Sequence, residues 1–353
     1  MISWVKLCYC PNYFIPEHNM FVGKIDQSNN TMLLCVLKSL QCGGIDGLLH
    51  NLFPLDNTYN GVLRTTNESP FIDLDFLLYR NICPTNDALP KRISSYYKAL
   101  LRIEYYLNSE LSTFIIDACK CYINFISREI AHLLPQINAK GYTYHIHKLY
   151  YTLFRRIIKT NAVSGWLLYA SFYYVTGQFN VTLKITDYVL SRYSPDLMVI
   201  DSSDVDNKIS KNKYKHNVHT SMSLNERLTI ATACHVNYRP NSSLIPEELK
   251  LEVKCNLMNI LPNAMCYCLR FLCNHHLGDT SNRQQTLRDL YIAVQENGSR
   301  SENTESNALT ILGVCFDISG DKDMAYECYY EALQCNAYVC PSAEARISKL
   351  FDI

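Results

Sequence analysis

Few residues in this chain have the spacing to do chemistry. Asp73 and Asp75, in the run IDLDFLLYR, are two apart. On a strand they would stand on one face, where paired carboxylates can hold Mg2+. Residues 72–80 read as either a strand or a helix, and solvated carboxylates near a helix start are the preferred reading. The 16 cysteines include the pairs Cys8 with Cys10, Cys119 with Cys121, and Cys266 with Cys268. Two residues apart on a helix, side chains diverge by roughly 200°, so the latter pairs cannot clasp one ion and read as buried thiols. His145 and His147 share that spacing. Cys273, His275 and His276 lie close together, but adjacent histidines diverge by roughly 100° on a helix, and packing near a helix end is the preferred reading. Lys208, Lys211, Lys213 and Lys215, with Tyr214 and His216, form the one basic cluster. It could touch phosphate, and without convergent arginines a solvated loop is favoured.

Phosphate loop, dinucleotide-binding glycines, nucleophile elbow and HExxH motif are all absent from the sequence. No catalytic, cofactor-binding or metal-binding residues are therefore assigned. Lys plus Arg and Asp plus Glu balance at 33 each, so no global field recruits nucleic acid or an anionic membrane. No apolar run reaches the ~18 residues of a membrane span. Met1 to Leu7 does not read as a signal peptide, and a cytoplasmic protein with reduced thiols is expected.

The elements that must position any site are helices. Residues 306–335, SNALTILGVCFDISGDKDMAYECYYEALQC, read as an antiparallel pair. Leu309, Leu312, Gly313 and Phe316 recur at the spacing of the first helix of a tetratricopeptide repeat, Gly320 supplies the turn, and Ala325, Tyr329 and Ala332 follow at the spacing of the second. Residues 162–193 repeat the design: Trp166, Tyr169, Ala170, Tyr173 and Gly177 match Leu309, Leu312, Gly313, Phe316 and Gly320 at an offset of 143 residues. Residues 262–276 pair with 282–295 across Gly278 and Asp279. Both hairpin pairs with the matched register resemble tetratricopeptide units. Upstream, 94–108, 111–134 and 144–158 carry apolar residues at helical spacing, as does 29–40, and 45–55 is a second short apolar segment. Ser223 with Glu226 forms a capping box opening a helix over 224–233, and Pro246 with Glu247 and Glu248 signals another start. The expected fold is all-α, with stacked antiparallel helical hairpins, tetratricopeptide-like and irregular. Four segments follow: 1–88 as the tail of a preceding helical lobe, 89–198 as a helical array, 199–222 as a polar linker, and 223–353 as a C-terminal helical array.

One opening stretch carries a further resemblance. Residues 12–21, NYFIPEHNMF, are similar to the segment that ends the helical lobe of male-abnormal-21-like proteins, the family that includes cyclic GMP-AMP synthase. The resemblance implies a nucleotidyltransferase lobe before this segment, with a Gly-Ser turn and a carboxylate triad, and a zinc thumb. None of these is visible in this chain. From 89 onward the arrangement looks like the helical extension of some invertebrate members.

Two functions follow as expectations. The first is a non-catalytic helical module that binds a protein or peptide partner on a concave face, with no cofactor and no membrane. The alternative is the C-terminal fragment of a cyclic GMP-AMP synthase-like receptor involved in nucleic-acid sensing and innate immunity.

Overall fold

The computed structural model describes residue 75 and residues 93–109, 113–135, 143–159, 161–194, 197–200, 208–219, 221–254, 257–296, 302–335 and 341–351. The Cys8 and Cys10 pair, residues 12–21, the apolar runs at 29–40 and 45–55, and Asp73 lie outside them. Helices account for 75% of the described residues, in 12 α-helices, and the class is all-α. The chain divides into two compact units, one of Met1–Ile126 with Val205–Arg227, the other of Ser127–Asp204 with Leu228–Ile353.

The first unit takes in α1 (Ile93–Ser109), most of α2 (Thr113–Leu133), α6 (Lys208–Asn217) and the start of α7 (Leu224–Ala231). Tyr96, Leu100 and Ile103 form the buried stripe of α1, at the three- and four-residue steps of a helix. Ser223 opens α7 as its sequence signals: its N–H donates to Glu226 Oε2 at 2.8 Å, and its Oγ accepts from the Glu226 N–H at 3.3 Å.

Two expectations are corrected here. Residues 199–222 are not a linker throughout, because Lys208–Asn217 is a helix and Tyr214 is buried within it. Its sequence lacks an apolar stripe, and one aromatic anchor with a distant polar partner takes that role. Asp75 is not a solvated carboxylate. It is helical and fully buried, Arg227 grips both of its oxygens at 2.6 Å, and the Tyr214 hydroxyl donates to Oδ2 at 2.8 Å. Burial pushes the Asp75 carboxyl above the ordinary aspartate range, against the pull of Arg227 and Tyr214. A carboxylate so occupied leaves no lone pair facing outward for Mg2+.

The second unit is built on helical hairpins. Helix α4 (Ser164–Val175) turns into α5 (Phe179–Arg192), α8 (Pro262–His276) into α9 (Thr280–Gln295), and α10 (Glu302–Ser319) into α11 (Lys322–Gln334). The three turns share one physical device. Gly177, Gly278 and Gly320 adopt φ of 75°, 72° and 91°, the left-handed region where a side chain is strained. The next N–H reaches back to the first helix: Gln178 to Tyr173 O at 2.8 Å, Asp279 to Asn274 O at 2.9 Å, and Asp321 to Phe316 O at 3.0 Å. Asp279 and Asp321 then cap the following helix, accepting from Asn282 N and Met324 N.

Contacts run from each hairpin to the next: α4 and α5 pack on α8, while α8 and α9 pack on α10. The last helix, α12 (Pro341–Phe351), which the sequence reading did not single out, packs on α10 and α11. Leu309, Leu312, Ala325, Tyr329 and Ala332 are buried, as is Ala170, while Phe316, Trp166 and Tyr173 are half-buried. The helix pair α10 and α11 crosses where Gly313 lacks a side chain, since a Cβ there would stand 2.5 Å from the Tyr329 ring. In the α4 and α5 pair the approach falls at Ala170, whose carbonyl oxygen accepts from the Thr182 hydroxyl at 3.2 Å, while Gly165 sits against α3 (Thr143–Ile157), where a Cβ would meet the Ile157 carbonyl oxygen at 2.3 Å.

Short strands are the part of the fold that helical periodicity conceals. Helix α7 stops at Ala231, and β2 (Thr232–Cys234) pairs in parallel with β1 (Met198–Ile200). Strand β3 (Val236–Tyr238) pairs antiparallel with β4 (Met258–Ile260), placing Tyr238 opposite Met258. Each is three residues long, too short for alternation to register. Ser164 locks β2 to α4, donating to Cys234 O and accepting from Cys234 N at 3.1 Å.

Candidate functional site

The hairpin turns carry aromatic side chains to one place. Tyr174 ends α4, Phe179 begins α5 just past Gly177, and His276 ends α8. Their rings pack at centroid distances of 4.8 to 5.8 Å, with His276 stacked on Phe179 at an interplanar angle of 2°. Glu248 comes from a 3-10 turn, Glu247–Leu249, after Pro246. The Tyr174 hydroxyl donates to Glu248 Oε1 at 2.8 Å, and His276 Nε2 lies 3.0 Å from that hydroxyl and 3.1 Å from the same carboxylate oxygen. Burial, then the Glu248 charge, pushes the Tyr174 phenol well above its ordinary value, so it stays a donor.

Arg346 of α12 fixes the turn that bears Glu248. Its Nη2 donates to the Glu248 carbonyl oxygen at 2.6 Å, while Nε and Nη2 hold the buried Glu252 carboxylate at 2.8 and 3.2 Å. On the other side Tyr150, from α3, lies 4.9 Å from the Phe172 ring, and its hydroxyl is 2.8 Å from Ser243 Oγ. Burial pushes the Tyr150 phenol up to about 12. Tyr150, Phe172, Tyr174, Phe179, Ser243 and His276 line a partly open cavity of about 360 Å³, in which Glu247 and Glu248 are the acidic residues and which no Lys or Arg lines. Oε1 of Glu248 is satisfied, whereas Oε2 is buried with no hydrogen-bond donor.

A second cluster has the residue types of a hydrolase but not the arrangement. Ser242 Oγ lies 2.8 Å from His132 Nδ1, and Glu129 stands one turn before His132 on α2. Ser242, His132 and Glu129 are all buried, and Ser242 Oγ accepts from the Leu244 N–H at 3.2 Å. Against burial, Arg128 and Arg239 hold Glu129 below the ordinary glutamate range. The carboxylate faces arginines, the hydroxyl is committed to a turn, and neither is reachable by substrate, so the cluster secures α2 to the loop after β3.

The other residues singled out by type and spacing are dispersed. Cys119, Cys121, Cys266, Cys268 and Cys273 are buried thiols, and among the described residues no group of His, Cys, Asp and Glu could hold a metal ion. His145 is exposed on α3, and His147 lies edge-on to Phe172. Lys213 and Lys215 flank the buried Tyr214 on α6. No described helix is long and apolar enough to cross a membrane. Sequence reading placed His276 at a helix end and Glu248 at a helix start without connecting them, and it missed Tyr174, Phe179 and Tyr150. The Gly177 and Gly278 turns are the signal that could have found them, since aromatics beside such turns gather at one end of a hairpin.

No family model, curated protein or solved structure matches this chain.

Proposed function

We propose that this chain is a non-catalytic helical module that binds a protein or peptide partner, its hairpins acting in the manner of tetratricopeptide units. The observation that carries this reading is the partly open aromatic cavity at the ends of α4 and α8, rigidly framed by two glycine turns and by Arg346. A pocket on packed hairpins presents a fixed shape, which keeps the entropic cost of binding low. The same site lacks an activated nucleophile: Tyr174 is held protonated and His276 Nε2 is engaged. Buried thiols at Cys266, Cys268, Cys273, Cys315 and Cys328 suit a reducing compartment, and we assign the protein to the cytoplasm.

The test is selection from a random peptide library displayed on phage. A shared motif should emerge against the parent and be lost against Phe179→Ala at unchanged melting temperature. Selection that converges on no motif refutes the module.

The resemblance of residues 12–21 to male-abnormal-21-like proteins supports a second reading, the C-terminal fragment of a cyclic GMP-AMP synthase-like receptor. The carboxylate triad would then be encoded upstream of Met1. Purified chain with ATP, GTP and Mg2+ should form no cyclic dinucleotide, and an in-frame stop codon upstream would remove this reading.

A further inference from the structure

The last hairpin leaves an aromatic ladder uncovered. On α11, Tyr326 stacks on Tyr330 at 6.1 Å, and Phe351 at the end of α12 meets Tyr326 edge-on at 5.7 Å. All three rings are exposed, Tyr330 by 51% and Phe351 by 65%, and contiguous apolar surface rimmed by polar residues marks an interaction site. The rim is acidic. Asp323, Glu327 and Glu331 are exposed on α11, and at 100° per residue they share with Tyr326 and Tyr330 one sector of about 140°. None of the three acids forms an ion pair among the described residues. No Lys or Arg occurs between Lys322 and Arg346; the Lys322 ammonium donates to Leu350 O, Arg346 is held by Glu252, and the exposed Glu344 and Lys349 of α12 offset each other. The opposite character belongs to α3, which packs on α4 of the first hairpin. Its exposed face carries Lys148, Tyr151, Thr152 and Arg155 at steps of three and four. No Asp or Glu occurs between Glu129 and Asp187, and Lys148 and Arg155 form no ion pair among the described residues.

We propose that these two faces recognise each other in separate molecules, so that the aromatic ladder of α11 docks against α3 of a second copy of this chain. Charge complementarity selects this occupant. At 1.5 Å per residue along a helix, Lys148 and Arg155 stand about 10.5 Å apart, and Asp323 and Glu331 about 12 Å. Two helices laid side by side therefore match cation to carboxylate at both positions. Tyr151 then meets Tyr326 and Tyr330 between the charges, and Arg155 can lie over a ring. The two faces differ and each molecule carries one of each, so the contact is heterologous and builds rings or open chains head to tail. A formal net charge of zero leaves no global repulsion against it. Neither α11 nor Lys148, Tyr151 and Arg155 lines the cavity, so this inference goes beyond the peptide-binding reading and fails separately from it.

The test is sedimentation velocity of the full chain over a concentration series. At low salt the parent should sediment faster as its concentration rises, and about 1 M NaCl, which shortens the reach of charge to about 3 Å, should suppress the effect. Lys148→Glu with Arg155→Glu makes both faces acidic, and Glu327→Lys with Glu331→Lys makes both basic. Each double variant alone should associate at least about tenfold more weakly than the parent, because like charges then face each other. Mixed in equal amounts, the two should associate as the parent does, since each complements the other at both contacts. Their melting temperatures should match the parent, as exposed substitutions usually allow. A parent that stays monomeric at low salt up to its solubility limit overturns the proposal and leaves the ladder to a different protein. That result needs no variant to fold. Undiminished association of the Glu327→Lys, Glu331→Lys variant also overturns it, because ladder would then pair with ladder, and so does a mixture that fails to recover.

Discussion

Gly313→Ala tests the crossing of α10 and α11 with a single methyl group. The added Cβ would stand 2.5, 2.7 and 3.1 Å from Cε1, Cδ1 and Cζ of Tyr329, whose side chain is fully buried. Relaxed carbon contacts are about 3.5–4.0 Å, so the ring or the helix must move by about 1 Å in a close-packed site. Overpacking of this kind costs about 1–3 kcal/mol. Alanine in a helix interior returns about 1 kcal/mol of propensity, leaving Gly313→Ala neutral to about 2 kcal/mol destabilising. Gly313→Leu, with three further carbons against the same ring, should exceed that range. The decisive arm is a double-mutant cycle. With Tyr329→Ala the clash disappears, and Gly313→Ala should then stabilise by about 1 kcal/mol, giving a coupling of about 1–3 kcal/mol. Urea denaturation followed by helical circular dichroism measures all four species. Charge reversal at the exposed Glu331 should stay within about 0.5 kcal/mol and serves as the control. If Gly313→Ala stabilises equally with and without Tyr329, the two residues do not meet and the crossing is wrong.

Gly165→Ala should destabilise more than Gly313→Ala, by about 3 kcal/mol, because its Cβ meets the Ile157 backbone at 2.3 Å and a carbonyl cannot rotate away as a ring can; an unchanged melt would place α3 and α4 further apart. Burial holds His132 down to about 4, with Arg128 and Arg239 adding and Glu129 opposing, against an ordinary value of 6.5. The unfolded chain therefore takes up the proton first, and the stability this group contributes above pH 6.5 should be lost as pH falls toward 4, by about 3 kcal/mol in all. Stability measured against pH should show that slope flattened in His132→Gln, and an unaltered slope would assign it to another group. Maleimide labelling mapped by mass spectrometry should leave Cys266, Cys268, Cys273, Cys315 and Cys328 unmodified in the folded protein, because all are buried and burial pushes the Cys266, Cys273 and Cys328 thiols up to about 12. Half-buried Cys335 should react before them, and early labelling of Cys268 would mean that α8 and α10 open readily.

The sequence alone determined what depends on neighbours within a few residues. Periodic Leu, Ile and Tyr defined α1 to α3, while Gly177, Gly278 and Gly320 ended three first helices because only glycine holds a left-handed φ without strain. Ser223 with Glu226 set the start of α7 for the same local reason. It also anticipated the close approach at Gly313, since a small residue at a fixed helical step can be read without knowing the partner's position. Tertiary structure decided what depends on residues far apart. Asp75 is a buried ion-pair partner only because Arg227, 152 positions away, reaches it, and Lys208–Asn217 has an anchor for Tyr214 only once Asp75 is in place. The cavity is likewise an assembly of strangers: Tyr174 lies 74 residues from Glu248 and 102 from His276. A hydrogen bond imposes no pattern on the chain between its ends, so such a site leaves no periodicity to read, and packing of the hairpins alone brings it together.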